Sequence, residues 1–152
     1  MSGVLVVTGS SRGIGAACAI MGAAKGFKVC VNYNNSPDRA EQVMEQIREN
    51  GGTAIAVAGD MGREADIIAL FREVDAQLGP VTALINNAGI TGTVSRLEDM
   101  AADDMAEVFR LNMTGPFLCA KEAVRRMSTK HGGKGGVIVN ISSAAARLGG
   151  AN

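Results

Sequence analysis

The stretch 3-GVLVVTGSSRGIG-15 runs from an unbroken apolar, β-branched segment, through a turn with glycines at 9, 13 and 15, into a helical pattern. A continuous apolar run of this kind marks a strand covered on both faces, as in a parallel sheet. Gly9, Gly13 and Gly15 then fall at a strand-to-helix turn, where ligands of parallel sheets bind. Each glycine has a physical use there: a tight turn, close approach of backbone to a pyrophosphate, and close packing of helix on strand. A helix opening at Ile14 points free N–H groups and the positive end of its dipole at such a phosphate. The spacing is Gly-x-x-x-Gly-x-Gly, and there is no Gly-Lys-Ser/Thr of a nucleoside-triphosphate site. By themselves these residues also describe a glycine-rich turn with no ligand.

Working outward, 28-KVCVNY-33, 53-TAIAVA-58, 81-VTALIN-86 and 137-VIVNI-141 repeat the buried-strand pattern. Helical patterns lie between them. Ser36 and Pro37 read as an N-cap and first helical position, and Ala40, Val43, Met44 and Ile47 form one apolar face that Asn50-Gly51-Gly52 terminates. Ile67, Leu70, Phe71, Val74 and Leu78 mark the next helix, closed by Gly79-Pro80, and a longer helix is expected from about Asp103 to Lys130. Buried strands alternating with helices imply a parallel sheet with right-handed crossovers. No linker, repeat or low-complexity tract interrupts the pattern, so residues 1–152 read as one doubly wound α/β domain, or the first part of one.

The 152 residues suffice for one domain, and 47% of them are apolar, a globular composition. Lys plus Arg and Asp plus Glu each total 15, so no net field draws the chain to nucleic acid or to an anionic membrane. Cys18, Cys30 and Cys119 are far apart and lie in apolar runs, which suits free thiols in a reducing compartment. His131 is the only histidine, so no metal site is expected. The run 14-IGAACAIMGAA-24 has features of an export signal, but it is flanked by strand patterns, and no run reaches the ~18 apolar residues of a membrane span. The expected location is the cytoplasm.

With its first turn 8-TGSSRGIG-15, the chain resembles the short-chain dehydrogenase/reductase family, whose turn reads Thr-Gly-x-x-x-Gly-x-Gly. Three further segments match in order and spacing: Asp60 after the third strand, 86-NNAG-89 after the fourth, and 137-VIVNISS-143 as the fifth. The resemblance implies a Rossmann-type, three-layer αβα fold with strand order 3-2-1-4-5, ending after the fifth strand. It also implies a nicotinamide cofactor touching Gly9, Ser11, Arg12, Gly13, Ile14, Gly15, Tyr33, Asp60, Met61, Asn87, Ala88 and Gly89. Asp60 is similar to the family residue that bonds the adenine amino group, although it also reads as an N-cap. Asn87, Ala88 and Gly89 would line the cofactor ribose, or merely form a turn.

The second strand bears on the choice of cofactor. An NAD site usually presents an acid there to the ribose 2′-hydroxyl. Here the strand ends 31-VNYNNS-36, and the first acid, Asp38, already falls within a helix signal. A 2′-phosphate is then not repelled, and Arg12 is placed to pair with it, so NADP(H) is favoured over NAD(H). Otherwise Arg12 is a solvated loop cation.

For catalysis the resemblance implies a Tyr proton donor, a Lys four residues later, a Ser bonding the substrate oxygen, and a helix Asn that holds a relay water. Ser143 matches the Ser position, with Ser142 as the alternative; both also suit a simple strand end. Asn112 matches the Asn. Pro116, four residues on, has no N–H, so the Asn112 carbonyl loses its helical partner and is free for a water, or for bulk solvent at a kink. The only tyrosine, Tyr33, is followed four residues later by Pro37, and belongs at the adenosine end. The Tyr-x-x-x-Lys pair is thus expected beyond Asn152, with the last strands and the substrate loop, and 144-AAARLGGAN-152 reads as the start of that connection.

These residues suggest an NADP-dependent reductase of a ketone or acyl carbonyl, acting on a small-molecule carbonyl or alcohol, with no nucleic-acid or membrane partner. By resemblance it would be a homodimer or homotetramer. A nucleotide-binding fragment without catalysis is the second reading. A sugar-nucleotide epimerase fits less well, because the glycine spacing there is tighter. The cations Arg125, Arg126, Lys130, His131 and Lys134 read as a solvated helix end that complements the dipole.

Overall fold

Strand β1 (Val4–Val7) is buried along its whole length and lies at the centre of a five-stranded parallel sheet of order β3-β2-β1-β4-β5. The structure is a computed structural model describing residues 3–149, so Gly150, Ala151 and Asn152 of the expected terminal connection lie outside the described residues. The other strands are β2 (Lys28–Tyr33), β3 (Thr53–Ala58), β4 (Ala83–Asn86) and β5 (Val137–Asn140). In register, Val7 faces Val31 of β2 and Ile85 of β4, and Asn86 faces Asn140 of β5.

Period-two alternation divides the core between the faces of the sheet. Val4 and Val6 join Ile67, Leu70, Phe71 and Val74 of helix α3 (Glu64–Gln77), with Cys119, Ala123 and Met127 of helix α5 (Gly115–Met127). Leu5 and Val7 face Ala19 of helix α1 (Gly13–Ala24), and Ala40, Val43, Met44 and Ile47 of helix α2 (Pro37–Glu49). The apolar faces expected for α2 and α3 are thus the buried ones. Phe71 is wholly buried, and truncating it to Ala is expected to cost ~3–5 kcal/mol. Because α1 and α2 cover one face and α3 and α5 the other, the chain reverses direction across the sheet between β1 and β4.

Three expectations are corrected. First, among the described residues β5 pairs with β4 alone and its Val137 and Val139 are exposed, where burial on both faces was expected. Of its apolar residues Ile138 packs on the core. Second, the expected long helix is divided into α4 (Ala102–Phe109), a π-turn (Arg110–Thr114) and α5, with a 3-10 turn at Thr129–His131. Pro116 has no proton for the Asn112 carbonyl, and the backbone widens so that Gly115 N–H donates to Arg110 O, one residue further back than in an α-helix. Third, Arg126 is not a solvated cation. It bonds Asp75 and Glu122 and lies 5.0 Å from the Phe71 ring centroid, tying α5 to α3.

After β5, Ala145–Leu148 form a short helix, α6, inside the segment expected to be loop. All three cysteines are free; Cys30 and Cys119 are buried and Cys18 is half-buried. Among the described residues no helix is long and apolar enough to cross a membrane.

Candidate active site

The reversal between β1 and β4 opens a crevice at the carboxyl ends of the strands, the usual place for a ligand on such a sheet. The glycine turn fills its floor. Gly9 and Gly13 have φ of 60° and 57°, left-handed values that a side chain disfavours. Gly15 serves packing instead: a Cβ there would lie 2.5 Å from Asn87 Nδ2 and 2.7 Å from Gly9 O. Arg12 is the N-cap of α1, whose first turn holds no acid, so its N–H groups and dipole face the crevice unopposed.

A buried polar network fixes this turn. Thr8 Oγ1 accepts the N–H groups of Asn87 and Ala88 at 2.9 and 3.0 Å, while Asn87 Nδ2 donates to Thr8 O and Gly9 O. Asn32 Oδ1 accepts Gly9 N–H at 2.9 Å, and Asn32 Nδ2 donates to Gly59 O at 3.1 Å. Ser10 Oγ donates to Val7 O and accepts from Asn32 N–H. The turns after β1, β2, β3 and β4 are therefore joined through Thr8, Ser10, Asn32 and Asn87. Thr8, Ser10 and Asn32 had no expected role. Their signal is polarity inside or beside apolar strands, which burial makes costly unless every group is paired.

Above the turn lies a cavity of about 530 Å³ lined by Gly9, Ser11, Arg12, Gly13, Ile14, Tyr33, Asp60, Met61, Asn87, Ala88 and Gly89. These are the expected cofactor contacts apart from Gly15, which lies behind the turn. Asn32, Asn34, Asn35, Ser36, Gly59, Ile90 and Leu111 complete the wall. Among the described residues Arg12 is the one cation of this wall and Asp60 the one acid. Among the described residues Arg12 makes no ion pair.

Asp60 is not the N-cap of α3; that position is Arg63. Its Oδ1 instead accepts Gly62 N–H at 2.8 Å, and its Oδ2 pairs with Arg110 Nη2 at 2.9 Å. Burial alone would raise its pKa, but the bonds from Arg110 and Gly62 outweigh that and hold the carboxyl below its ordinary value of 3.8. Asn112 and Ser143 are not in the cavity wall. Both ends of the Asn112 amide engage Ile90: Oδ1 accepts its N–H at 2.9 Å and Nδ2 donates to its carbonyl at 2.7 Å. Ser143 Oγ accepts Ala145 N–H at 3.2 Å, a local turn bond that leaves the hydroxyl proton available.

Tyr33 and Ser143 lie apart. Their strands, β2 and β5, are separated by β1 and β4, which places them roughly 14 Å from each other at the usual strand spacing. Tyr33 therefore does not meet a substrate oxygen held by Ser143.

Comparison with known proteins bears on the family and the fold. The chain is 44% identical over 146 residues to the uncharacterized oxidoreductase YgfF of Escherichia coli, covering 96% of this chain and 59% of that protein. It is 42% identical over 146 residues to a 3-oxoacyl-[acyl-carrier-protein] reductase of Synechocystis, covering 96% and 58%. Glucose 1-dehydrogenase 2 of Bacillus subtilis is 38% identical over 138 residues, covering 91% and 53%. A Burkholderia cenocepacia short chain dehydrogenase solved in complex with NADP superposes with a TM-score of 0.89 at 32% identity, covering 98% of this chain and 58% of that one. The chain thus spans little more than half the length of these relatives. Residues 3–152 match the family described as short chain dehydrogenase, and the chain belongs to that family.

Proposed function

We propose that residues 1–152 form one dinucleotide-binding domain of an NADP-dependent oxidoreductase. The reaction would move a hydride between the nicotinamide and a small carbonyl or secondary-alcohol substrate, of the ketone or 3-oxoacyl type. The observation that carries this is the cavity at the β1/β4 reversal, floored by two positive-φ glycines and open to the N-terminus of α1. No side chain meets a Cβ built at Gly13, so there is room for a ligand against the backbone. The names of the Synechocystis and Bacillus relatives support the substrate class, and the NADP in the Burkholderia structure supports the cofactor.

The residues divide the work. The backbone from Gly9 to Ile14 holds the pyrophosphate, with the dipole of α1 behind it. Arg12 meets the 2′-phosphate, since the wall around Tyr33, Asn34, Asn35 and Ser36 carries no acid to repel it. Asp60 accepts from the adenine amine, and Asn87, Ala88 and Gly89 bring backbone against the ribose. When bound, the nicotinamide supplies or accepts the hydride. Ser143 donates its free proton to the substrate oxygen, and the Asn112 carbonyl, denied a helical donor by Pro116, holds a water. The Tyr and Lys of the family mechanism have no counterpart among residues 1–152, so these residues alone are expected to bind the cofactor without turning it over.

A non-catalytic nucleotide binder is the second reading, favoured by the position of Tyr33 at the adenosine end. Carbonyl-dependent oxidation of NADPH, followed by the absorbance of the reduced nicotinamide across a substrate panel, separates the two. Oxidation by the whole protein supports the reductase; tight NADPH binding with no oxidation supports the binder. A homodimer or homotetramer in the cytoplasm completes the proposal. Phe109, Met113 and Phe117 are 57%, 52% and 75% exposed at helical spacing and offer a contact face.

A further inference from the structure

Arg110 lies fifty residues from Asp60 in sequence, on the first position of the π-turn, yet its guanidinium reaches across to that carboxylate. Its Nε and Nη2 are first gripped by Glu107 at 2.7 and 2.6 Å, which fixes the plane of the fork. Nη2 then bonds Asp60 Oδ2 at 2.9 Å. The fork lies flat on the turn at Gly62: a Cβ there would collide with Arg110 Nη1, so only glycine leaves it this space. Nη1 itself is buried and has no hydrogen-bond partner among the described residues.

Asp60 is held at its backbone and at both carboxylate oxygens. Its N–H donates to Asp66 Oδ2 at 3.0 Å, Gly62 N–H holds Oδ1, and Arg110 holds Oδ2. An ionised carboxylate offers about four acceptor positions, so each oxygen retains capacity after these bonds. The residue lines the cavity and has one rotamer enforced at both oxygens before any ligand arrives. Preorganisation of this kind spares the ordering cost at binding and sharpens discrimination between ligands.

We propose that Arg110 is a positioning residue for base recognition: by clamping Asp60 it aims the free carboxylate lone pairs at an exocyclic amine, selecting adenine over a 6-oxopurine. This rests on the proposed role of Asp60 toward adenine. A 6-oxopurine presents a carbonyl oxygen where adenine presents an amine, and that oxygen is repelled by a fixed carboxylate. Glu107 and Gly62 support the clamp, one by holding the fork and the other by making room for it.

The test is a pair of titrations of the protein with NADPH and with its hypoxanthine analogue, in the parent and in Arg110→Met, Arg110→Lys and Asp60→Asn. The parent is expected to prefer NADPH. Arg110→Met is expected to cut that preference roughly tenfold, the scale of one hydrogen bond to a charged group. Arg110→Lys, which keeps the charge but not the planar fork, is expected to restore part of it. If Arg110→Met weakens both ligands equally and the ratio stays at the parent value, Arg110 only braces the fold and the proposal is overturned. If Arg110→Met does not fold, the Arg110→Lys ratio decides by the same criterion. If Asp60→Asn leaves the ratio unchanged, the role of Asp60 toward adenine fails first. A ratio that falls in Asp60→Asn but not in the Arg110 variants overturns the positioning role alone.

Discussion

Asn32 reaches from the end of β2 beneath the glycine turn, where its Oδ1 accepts the Gly9 N–H at 2.9 Å. The same side chain donates to Gly59 O at 3.1 Å, so one buried amide sets the distance between the phosphate turn and the loop that carries Asp60. Replacing it by Ala removes the partner of the Gly9 N–H and the amide donor shared by the Tyr33, Val57 and Gly59 carbonyls. Asn32→Ala is expected to cost about 2–4 kcal/mol, since each buried group left unpaired costs ~1–3 kcal/mol. Urea denaturation checks this; a loss within the ~0.5 kcal/mol typical of a surface change would contradict the role given to Asn32.

The glycines of the turn are expected to differ in their tolerance of a methyl group. At Gly13 the added Cβ meets nothing within 4 Å, so Gly13→Ala carries only left-handed backbone strain, ~1–2 kcal/mol. At Gly15 it strikes the Asn87 amide and the Gly9 carbonyl, both parts of the turn's own wiring. Gly15→Ala is therefore expected to destabilise more than Gly13→Ala in thermal melts and to abolish dinucleotide binding. Equal melting temperatures for the two variants would count against the packing role of Gly15.

The Asp60–Arg110 pair predicts an acid limb in the stability curve. Asp60 is held below 3.8 in the folded chain, so its contribution is fully present above that pH and is lost as pH falls through the folded value. The pair is partly exposed, and its worth is about 1 kcal/mol at most. Melts of the parent and Asp60→Asn between about pH 6 and pH 3 should converge on acidification. A gap that stays constant over this range would show that ionisation of Asp60 contributes nothing.

The two arginines near the end of α5 are expected to separate. Arg126 is 16% exposed, bonds Asp75 and Glu122, and covers Phe71, whereas Arg125 is 59% exposed and touches Glu122 alone. Arg126→Met is expected to cost about 2–3 kcal/mol, because it leaves a buried carboxylate short of a partner. Arg125→Met should cost ~1 kcal/mol or less. Chemical denaturation of both variants checks the order, and a reversal would contradict the network.

The sheet and its order could be read because the strands β1 to β4 are continuous apolar runs, and α2 and α3 carry clean apolar faces. The phosphate turn was legible for the same local reason: its glycines lie between a strand and a helix pattern. What stayed hidden depends on partners distant in sequence. Arg110 and Asp60 meet only once α4 packs beside the loop after β3, and no spacing rule announces that contact. Pro116 announced a disturbed helix, but whether the backbone kinks or widens into a π-turn depends on Gly115 reaching Arg110 O. The role of Asn32 is likewise hidden in the sequence, because the partners of its side chain outside β2 lie in the turn after β1 and at the end of β3.

The central claim is that the cavity beside Arg12 takes a dinucleotide and prefers the one with a 2′-phosphate. Fluorescence titration of the protein with NADPH and NADH, in the parent and in Arg12→Ala, tests it most directly. Saturable binding of both is expected, with NADPH tighter by about tenfold, the scale of one charge-assisted contact to the phosphate. Arg12→Ala should erase most of that difference while leaving NADH binding nearly unchanged. No binding of either nucleotide, or a preference for NADPH that survives Arg12→Ala undiminished, would contradict it.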